Sequence, residues 1–458
     1  MTRPTVVTAA LAAVLASAPG IRAQCPGVGG PEGDRPRVGL VLGGGGARGI
    51  AHVGVLKVLE ELRVPVDYVA GTSMGAIVGG LYAAGVSPAA MEAWLHRADF
   101  DDLFRDQPSY SRLSFRRKQE ARDYPIPLEV GIGPSGIQLP SGLVAGQKLN
   151  AVLRSMTFPV ARVNDFDSLA VPFRAVATDL ETGQMVVLRD GDLVDAIRAS
   201  MSVPGVFTPY PVEDRLLVDG GLVRNLPVDV ACDMGADLVI VVDVGSRLAD
   251  RSELASVVDL TLQVTRIMTR SGAATQIAGL GPDDVLIEPD LGNLGASSFD
   301  RSLEALAAGE AAARAAASRL RRLAVDPARY EAVRARRIGF GEPAKRAEFV
   351  MVGAYSGRSP GSLLERIVTR PGAMDTLTLA EDIEHLYSLG IYERVDYRMV
   401  ETEEGTAVIL RVREKPWGPA YLRFRLAISD RLGGEGTYTL ASHVLVPQLN
   451  DWGAELVG

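Results

Sequence analysis

Residues 38–75 decide the fold. They read as Val38-Gly39-Leu40-Val41-Leu42, a glycine loop from Gly43 to Gly49, an amphipathic run, a second apolar run at 66–70, and Gly71-Thr72-Ser73-Met74-Gly75. The pattern predicts strand, loop, helix, strand and sharp turn. Ile50, Val53, Val55, Leu56, Leu59 and Leu62 recur near helical spacing, with Lys57, Glu60, Glu61 and Arg63 between them. The second apolar run suits a short strand buried in a parallel sheet. A Gly-x-Ser-x-Gly where such a strand turns into a helix holds a serine exposed as a nucleophile. Gly71 and Gly75 serve the backbone there, because a side chain would block the close approach that a sharp turn needs.

The glycine loop has two readings. Gly44-x-Gly46-x-x-Gly49 after a strand fits the dinucleotide-binding fingerprint, with Asp67 near the spacing of its ribose-binding acid. That acid should end the second strand, whereas Asp67 begins it, so no nucleotide is expected. The other reading is an oxyanion hole, in which free N–H groups at a helix start stabilise the negative oxygen formed when a serine attacks an ester. No His/Cys cluster has metal-ligand spacing. The expectation is no metal and no cofactor.

At these residues the chain resembles the bacterial patatin-like phospholipases. The resemblance rests on three motifs in order: Gly44-Gly45-Gly46-Ala47-Arg48-Gly49, the nucleophile turn around Ser73, and Asp219-Gly220-Gly221. It implies a three-layer α/β/α fold, an oxyanion hole at Gly44, Gly45, Gly46, Arg48 and Gly49, and Ser73 and Asp219 as the catalytic pair. A Ser-acid-His triad would need a histidine beyond Asp219, and only His385 and His443 lie there, outside the sheet-forming region. A Ser-Asp dyad fits what the chain supplies, Asp219 taking the proton of Ser73 and later activating water. The implied substrate is a glycerophospholipid and the activity that of a carboxylic ester hydrolase. A homodimer is allowed by the same resemblance.

Between the motifs, a hairpin is expected from residues 173–177 and 185–188, and buried strands at 216–218, ending at Asp219, and at 238–242. Ser200 and Ser202 lack the glycine-flanked turn, which leaves them weak rivals to Ser73. Arg116-Arg117-Lys118 either touches anionic lipid headgroups or faces solvent on a loop. A formal net charge of -8 gives no reason to expect nucleic acid.

Outward from this core, residues 1–23 have one early arginine, an apolar stretch and small residues, as in a secretory signal peptide. A loose leader, 24–36, follows. Cys25 and Cys232 alone suggest no disulfide framework, although export is compatible with them. The enzyme-like domain is expected over 37–324 and a polar, basic linker over 325–346. Residues 347–415 read β-α-α-β-β, with helices opening at Ser359 and at a Thr378–Glu381 capping box, and resemble a POTRA domain. Residues 416–458 alternate like the first strands of an outer-membrane barrel, too few to close. The whole resembles an exported phospholipase displayed at the outer membrane or cell surface. The competing reading is an assembly or transport protein whose lipase-like domain only binds lipid.

Overall fold

The computed structural model describes residues 25, 35–124, 129–133, 136–338, 340–341, 343–344, 346–353, 363–431, 435–447 and 454–457. The expected signal peptide, most of the leader and the helix start at Ser359 lie outside them. β1 (Val38–Leu42) runs through a tight turn at Gly46–Ile50 into α1 (Ala51–Glu61). β2 (Tyr68–Thr72) passes through Ser73 into α2 (Met74–Ala83). The second strand starts two residues later than its apolar run suggests. Asp67 spends its carboxylate on the Val38 N–H and on Arg35, tying the strand entrance to β1. That structural bond also removes it from any ribose-binding role.

The chain continues with α3 (Pro88–Leu95), capped by the Ser87 hydroxyl, then α4 (Phe100–Leu103) and α5 (Phe115–Asp123). A hairpin of β3 (Glu129–Gly133) and β4 (Gly136–Gln138) precedes α6 (Gln147–Thr157). The expected hairpin is present as β5 (Phe173–Asp179) and β6 (Met185–Leu188). After it come α7 (Leu193–Ser200), β7 (Tyr210–Val212), β8 (Arg215–Asp219), α8 (Val228–Asp233) and β9 (Leu238–Val242). α9 (Val257–Ala278), β10 (Val285–Ile287), α10 (Ser302–Ala315) and α11 (Ala317–Leu320) complete the unit.

These strands form one sheet in the order β10-β9-β1-β2-β5-β8-β7, with β6 beside β5. From β10 to β5 neighbours run parallel, and β8 is antiparallel to β5. Side-chain alternation sends Leu40 and Leu42 into one core with α1, α2, α7 and α10, and Val41 into another with α8 and α9. Helices therefore cover both faces, as expected of an α/β/α sandwich. Gly54 of α1 and Gly309 of α10 let those helices touch, since a Cβ on either would strike the other's backbone.

Two expectations need correction in this unit. The first part of the supposed linker is a packed helix, α12 (Pro327–Arg337), capped by Asp326. The Arg337 guanidinium lies 4.0 Å over the Tyr82 ring and pairs with Glu60. Its arginine-rich composition concealed the packing, because arginine buries its stem while its charge finds a partner. The second correction is that Cys25 and Cys232 form a disulfide. The leader is thus anchored to α8, 207 residues away in sequence.

The C-terminal module contains β11 (Arg346–Ala347), β12 (Phe349–Gly353), β13 (Gly372–Ala373), α13 (Thr376–Ser388), β14 (Tyr392–Thr402) and β15 (Gly405–Glu414). Its main sheet is ordered β12-β15-β14 and carries its own core, including Leu386, Val395, Val408 and Leu410. The cap of α13 is Asp375, which accepts from the Leu377 N–H, and not the expected Thr378. Beyond it, β16 (Ala420–Arg431), β17 (Glu435–Val446) and β18 (Leu456–Val457) join an open sheet, β18-β17-β16-β3-β4. β16 pairs with β3 of the first unit from Ala420↔Ile132 to Arg423↔Glu129. The barrel-like strands are therefore in an open sheet, and no closed barrel exists among the described residues. No described helix is long and apolar enough to cross a membrane. Arg117, offered as a lipid contact, is buried and paired with Glu120 and Glu455.

Candidate active site

Ser73 sits between β2 and α2 with φ 55° and ψ −121°. A side chain at positive φ is strained, and such strain persists only where the surroundings hold it. Here the Ser73 N–H donates to the Ser200 Oγ at 3.0 Å, and the Ser200 hydroxyl donates to the Val176 carbonyl at 2.5 Å. Gly71 and Gly75 meet the expected need: a Cβ on Gly71 would run into Gly75's backbone, and one on Gly75 into the Leu42 carbonyl. The turn thus lies directly against β1.

Asp219 reaches the same place from the opposite direction. Thr72 is level with Val176 across β2 and β5, and Ala177 with Asp219 across β5 and β8. Ser73 and Asp219 therefore flank the middle of β5, brought together by an antiparallel strand rather than by a further parallel one. The Asp219 backbone is held by Ser202, whose carbonyl accepts its N–H at 2.9 Å, and by the Thr178 hydroxyl, which donates to its carbonyl at 2.9 Å. Oδ1 accepts the Gly221 N–H at 2.7 Å. Gly220 passes so close to β5 that a Cβ would strike the Val176 carbonyl. Oδ2 is buried and makes no fully formed hydrogen bond among the described residues. Burial pushes the Asp219 carboxyl up to about 6, against the opposing pull of Ser73 and the Gly221 N–H.

The glycine loop divides its work. Gly44 is not a free donor, because its N–H goes to Asn225 Oδ1 at 3.1 Å while Asn225 Nδ2 donates back to its carbonyl at 3.3 Å. The N–H groups of Gly45 and Gly46 have no acceptor among the described residues. Gly46 has φ +58° and abuts Ala296. Gly49 packs on Met74, where a Cβ would collide. Arg48 is buried and donates to the carbonyls of Val244, Leu294 and Gly245 at 2.9, 2.8 and 3.0 Å. Its guanidinium thereby braces the loop from behind. His52 donates through Nε2 to the Gly43 carbonyl at 2.7 Å, and burial pulls its pKa down to about 4, so it is neutral at pH 7.

Ser73 and Gly46 open into an apolar cavity of about 380 Å³, walled mainly by residues such as Leu81, Trp94, Leu153 and Phe299. Such a space accepts a hydrocarbon chain far better than a polar group. Sequence reasoning missed Asn225 and the anchoring part played by Ser200. Asn225 follows Asp219 closely, but nothing local marks an asparagine as a brace for a loop 181 residues away. Ser200 was visible only as a rival nucleophile, and its hydroxyl is spent on backbone groups.

Residues 40–232 match the family model of patatin-like phospholipases. Among similar proteins, patatin-like phospholipase domain-containing protein 7 of Rattus norvegicus is 36% identical over 222 residues, covering 48% of this chain and 14% of that protein. Its counterpart protein 6 of Homo sapiens is 36% identical over 223 residues, with the same shares. An uncharacterized NTE family protein of Mycobacterium tuberculosis strain H37Rv is 35% identical over 239 residues, 52% of this chain and 57% of that protein. The chain therefore spans only part of the length of each. Among solved structures, VipD from Legionella pneumophila aligns over 63% of this chain and 67% of its own, with a TM-score of 0.35 and 14% identity.

Proposed function

We propose that this chain, whose residues 40–232 constitute a patatin-like phospholipase domain, cleaves fatty acyl esters of glycerophospholipids through Ser73 and Asp219. That domain is one of carboxylic ester hydrolases. The observation that carries the reading is the meeting of a strained serine, a buried carboxyl with a pKa near neutrality, and an apolar cavity. Asp219 accepts the Ser73 proton as Oγ attacks the ester carbonyl. The N–H groups of Gly45 and Gly46 receive the oxyanion. Collapse expels the alcohol, which takes the proton from Asp219, and leaves the acyl chain on Ser73. Asp219 then deprotonates a water that releases the fatty acid and restores the serine.

Export belongs to the same proposal. The Cys25–Cys232 disulfide suits an oxidising compartment, and the order β12, α13, β14, β15 in the C-terminal module is compatible with the resemblance to a POTRA domain. That module and strands β16 and β17 then serve to display the enzyme at an outer membrane or cell surface. Fatty acid release from phosphatidylethanolamine or phosphatidylglycerol vesicles tests the chemistry. The wild-type chain should release fatty acid, while Ser73→Ala and Asp219→Asn should each lose at least a thousandfold with unchanged circular dichroism. Vesicle binding without release by the wild-type chain would favour a lipid-binding assembly or transport protein instead.

A further inference from the structure

Between the first unit and the C-terminal module lies a buried cluster of five charges. Arg154 of α6 donates to Asp192 at 2.6 Å, to Asp195 at 3.3 Å, and through two nitrogens to Asp396 at 3.0 Å. Arg411 of β15 clasps Asp195 at 2.5 and 2.8 Å and reaches Asp396 at 2.7 Å. The Tyr210 hydroxyl donates to Asp195 at 2.7 Å. Beside the cluster, Gln147 of α6 exchanges two hydrogen bonds with the backbone of Val395, at 2.6 and 3.0 Å. Ionic groups taken this far from water hold only when their partners stay in place.

The cluster grips the start of α7. Asp192 is that helix's cap, accepting from the Val194 and Asp195 N–H groups, and Asp195 lies in its first turn. The far end of the same eight-residue helix is Ser200, whose hydroxyl holds the strained Ser73 N–H. Two residues on, the Ser202 carbonyl holds the Asp219 N–H. α7 is buried along most of its length. It is a strut of about 12 Å between the module and both catalytic residues.

We propose that the C-terminal module is a positioning element of the active site: the cluster built on Asp396 and Arg411 fixes α7, and α7 through Ser200 fixes Ser73 for attack. The proposal rests on Ser73 being the nucleophile. Arg411, Asp396 and Ser200 act through the serine and touch no substrate.

The test is a double-mutant cycle in the full-length chain, read by the rate at which a fluorophosphonate labels Ser73 and by kcat and KM on phospholipid vesicles. Arg411→Met should lower the labelling rate and kcat at least tenfold, with KM within twofold of wild type. Ser200→Ala should do the same. The double variant should lose little more than the worse single one, because both break one chain of support. Arg162→Gln, which removes the exposed pair with Glu401 elsewhere on the interface, should label at the wild-type rate. If Arg411→Met does not fold, Asp396→Asn takes its place in the cycle. A folded cluster variant that labels at the wild-type rate, or losses that multiply in the double variant, overturns the proposal. A wild-type chain that is not labelled at Ser73 overturns the nucleophile reading and the proposal together.

Discussion

In the proposed mechanism, Ser73 and Asp219 owe their reactivity to what holds them as much as to what they are. The Asp219 carboxyl is raised from 3.8 to about 6 by burial, so at pH 7 it is mostly ionised yet still a competent base. The proposed mechanism needs the carboxylate; kcat/KM should therefore rise with pH through about 6 and then level off, which a pH-rate profile checks. The linked stability effect has the opposite sign. A carboxyl whose folded pKa lies above its unfolded value favours the folded state least when ionised, so its penalty grows as pH rises from 3.8 through 6. Two pKa units correspond to about 3 kcal/mol. Asp219→Asn should thus abolish turnover while raising Tm by several degrees at pH 8, a gain that fades towards pH 4 in thermal melts. Ser73, Asp219 and the glycines were legible because each belongs to a short motif in which glycine answers a local steric need. Arg48 was legible as a member of the loop but not as its brace, since its three carbonyl partners come from segments about 200 or more residues away.

At the scale of elements, the site is a junction of strand ends with a loop clamped from several sides. A Cβ on Gly45 would lie 2.8 Å from the Val244 carbonyl, so even Gly45→Ala must tilt the loop and its N–H groups. Turnover should fall about a hundredfold to a thousandfold, the usual cost of an oxyanion donor. Vesicle affinity should change much less, since the ground-state carbonyl carries less charge. Steady-state kinetics beside vesicle sedimentation separate the two. The strands β1, β5, β8 and β9 could be read from apolar runs bounded by turn residues, because burial on a sheet leaves that mark. The start of β2 was misplaced, as Asp67 makes a backbone bond that hydrophobicity does not register. α12 was missed for a related reason: a helix of paired arginines resembles a solvated linker in composition.

For the molecule as a whole, a change of pattern near residue 347, from the α/β unit to an expected β-α-α-β-β module of which the described residues hold β-α-β-β, was visible in the sequence. Their joining was not. Neither Cys25–Cys232 nor the pairing of β16 with β3 leaves a local signature, because each links segments brought together only by folding. The disulfide closes a loop of 207 residues, so Cys232→Ser should cost about 2–5 kcal/mol of stability, measurable by denaturant unfolding with and without reductant. The central claim is that the chain carries an acyl group on Ser73 during turnover. Rapid acid quench of the full-length chain hydrolysing phospholipid vesicles, followed by peptide mass mapping, tests it directly. The predicted result is a Ser73-containing peptide heavier by one acyl chain and absent from Ser73→Ala; steady fatty acid release by Ser73→Ala, with no adduct on the wild-type serine, would contradict it.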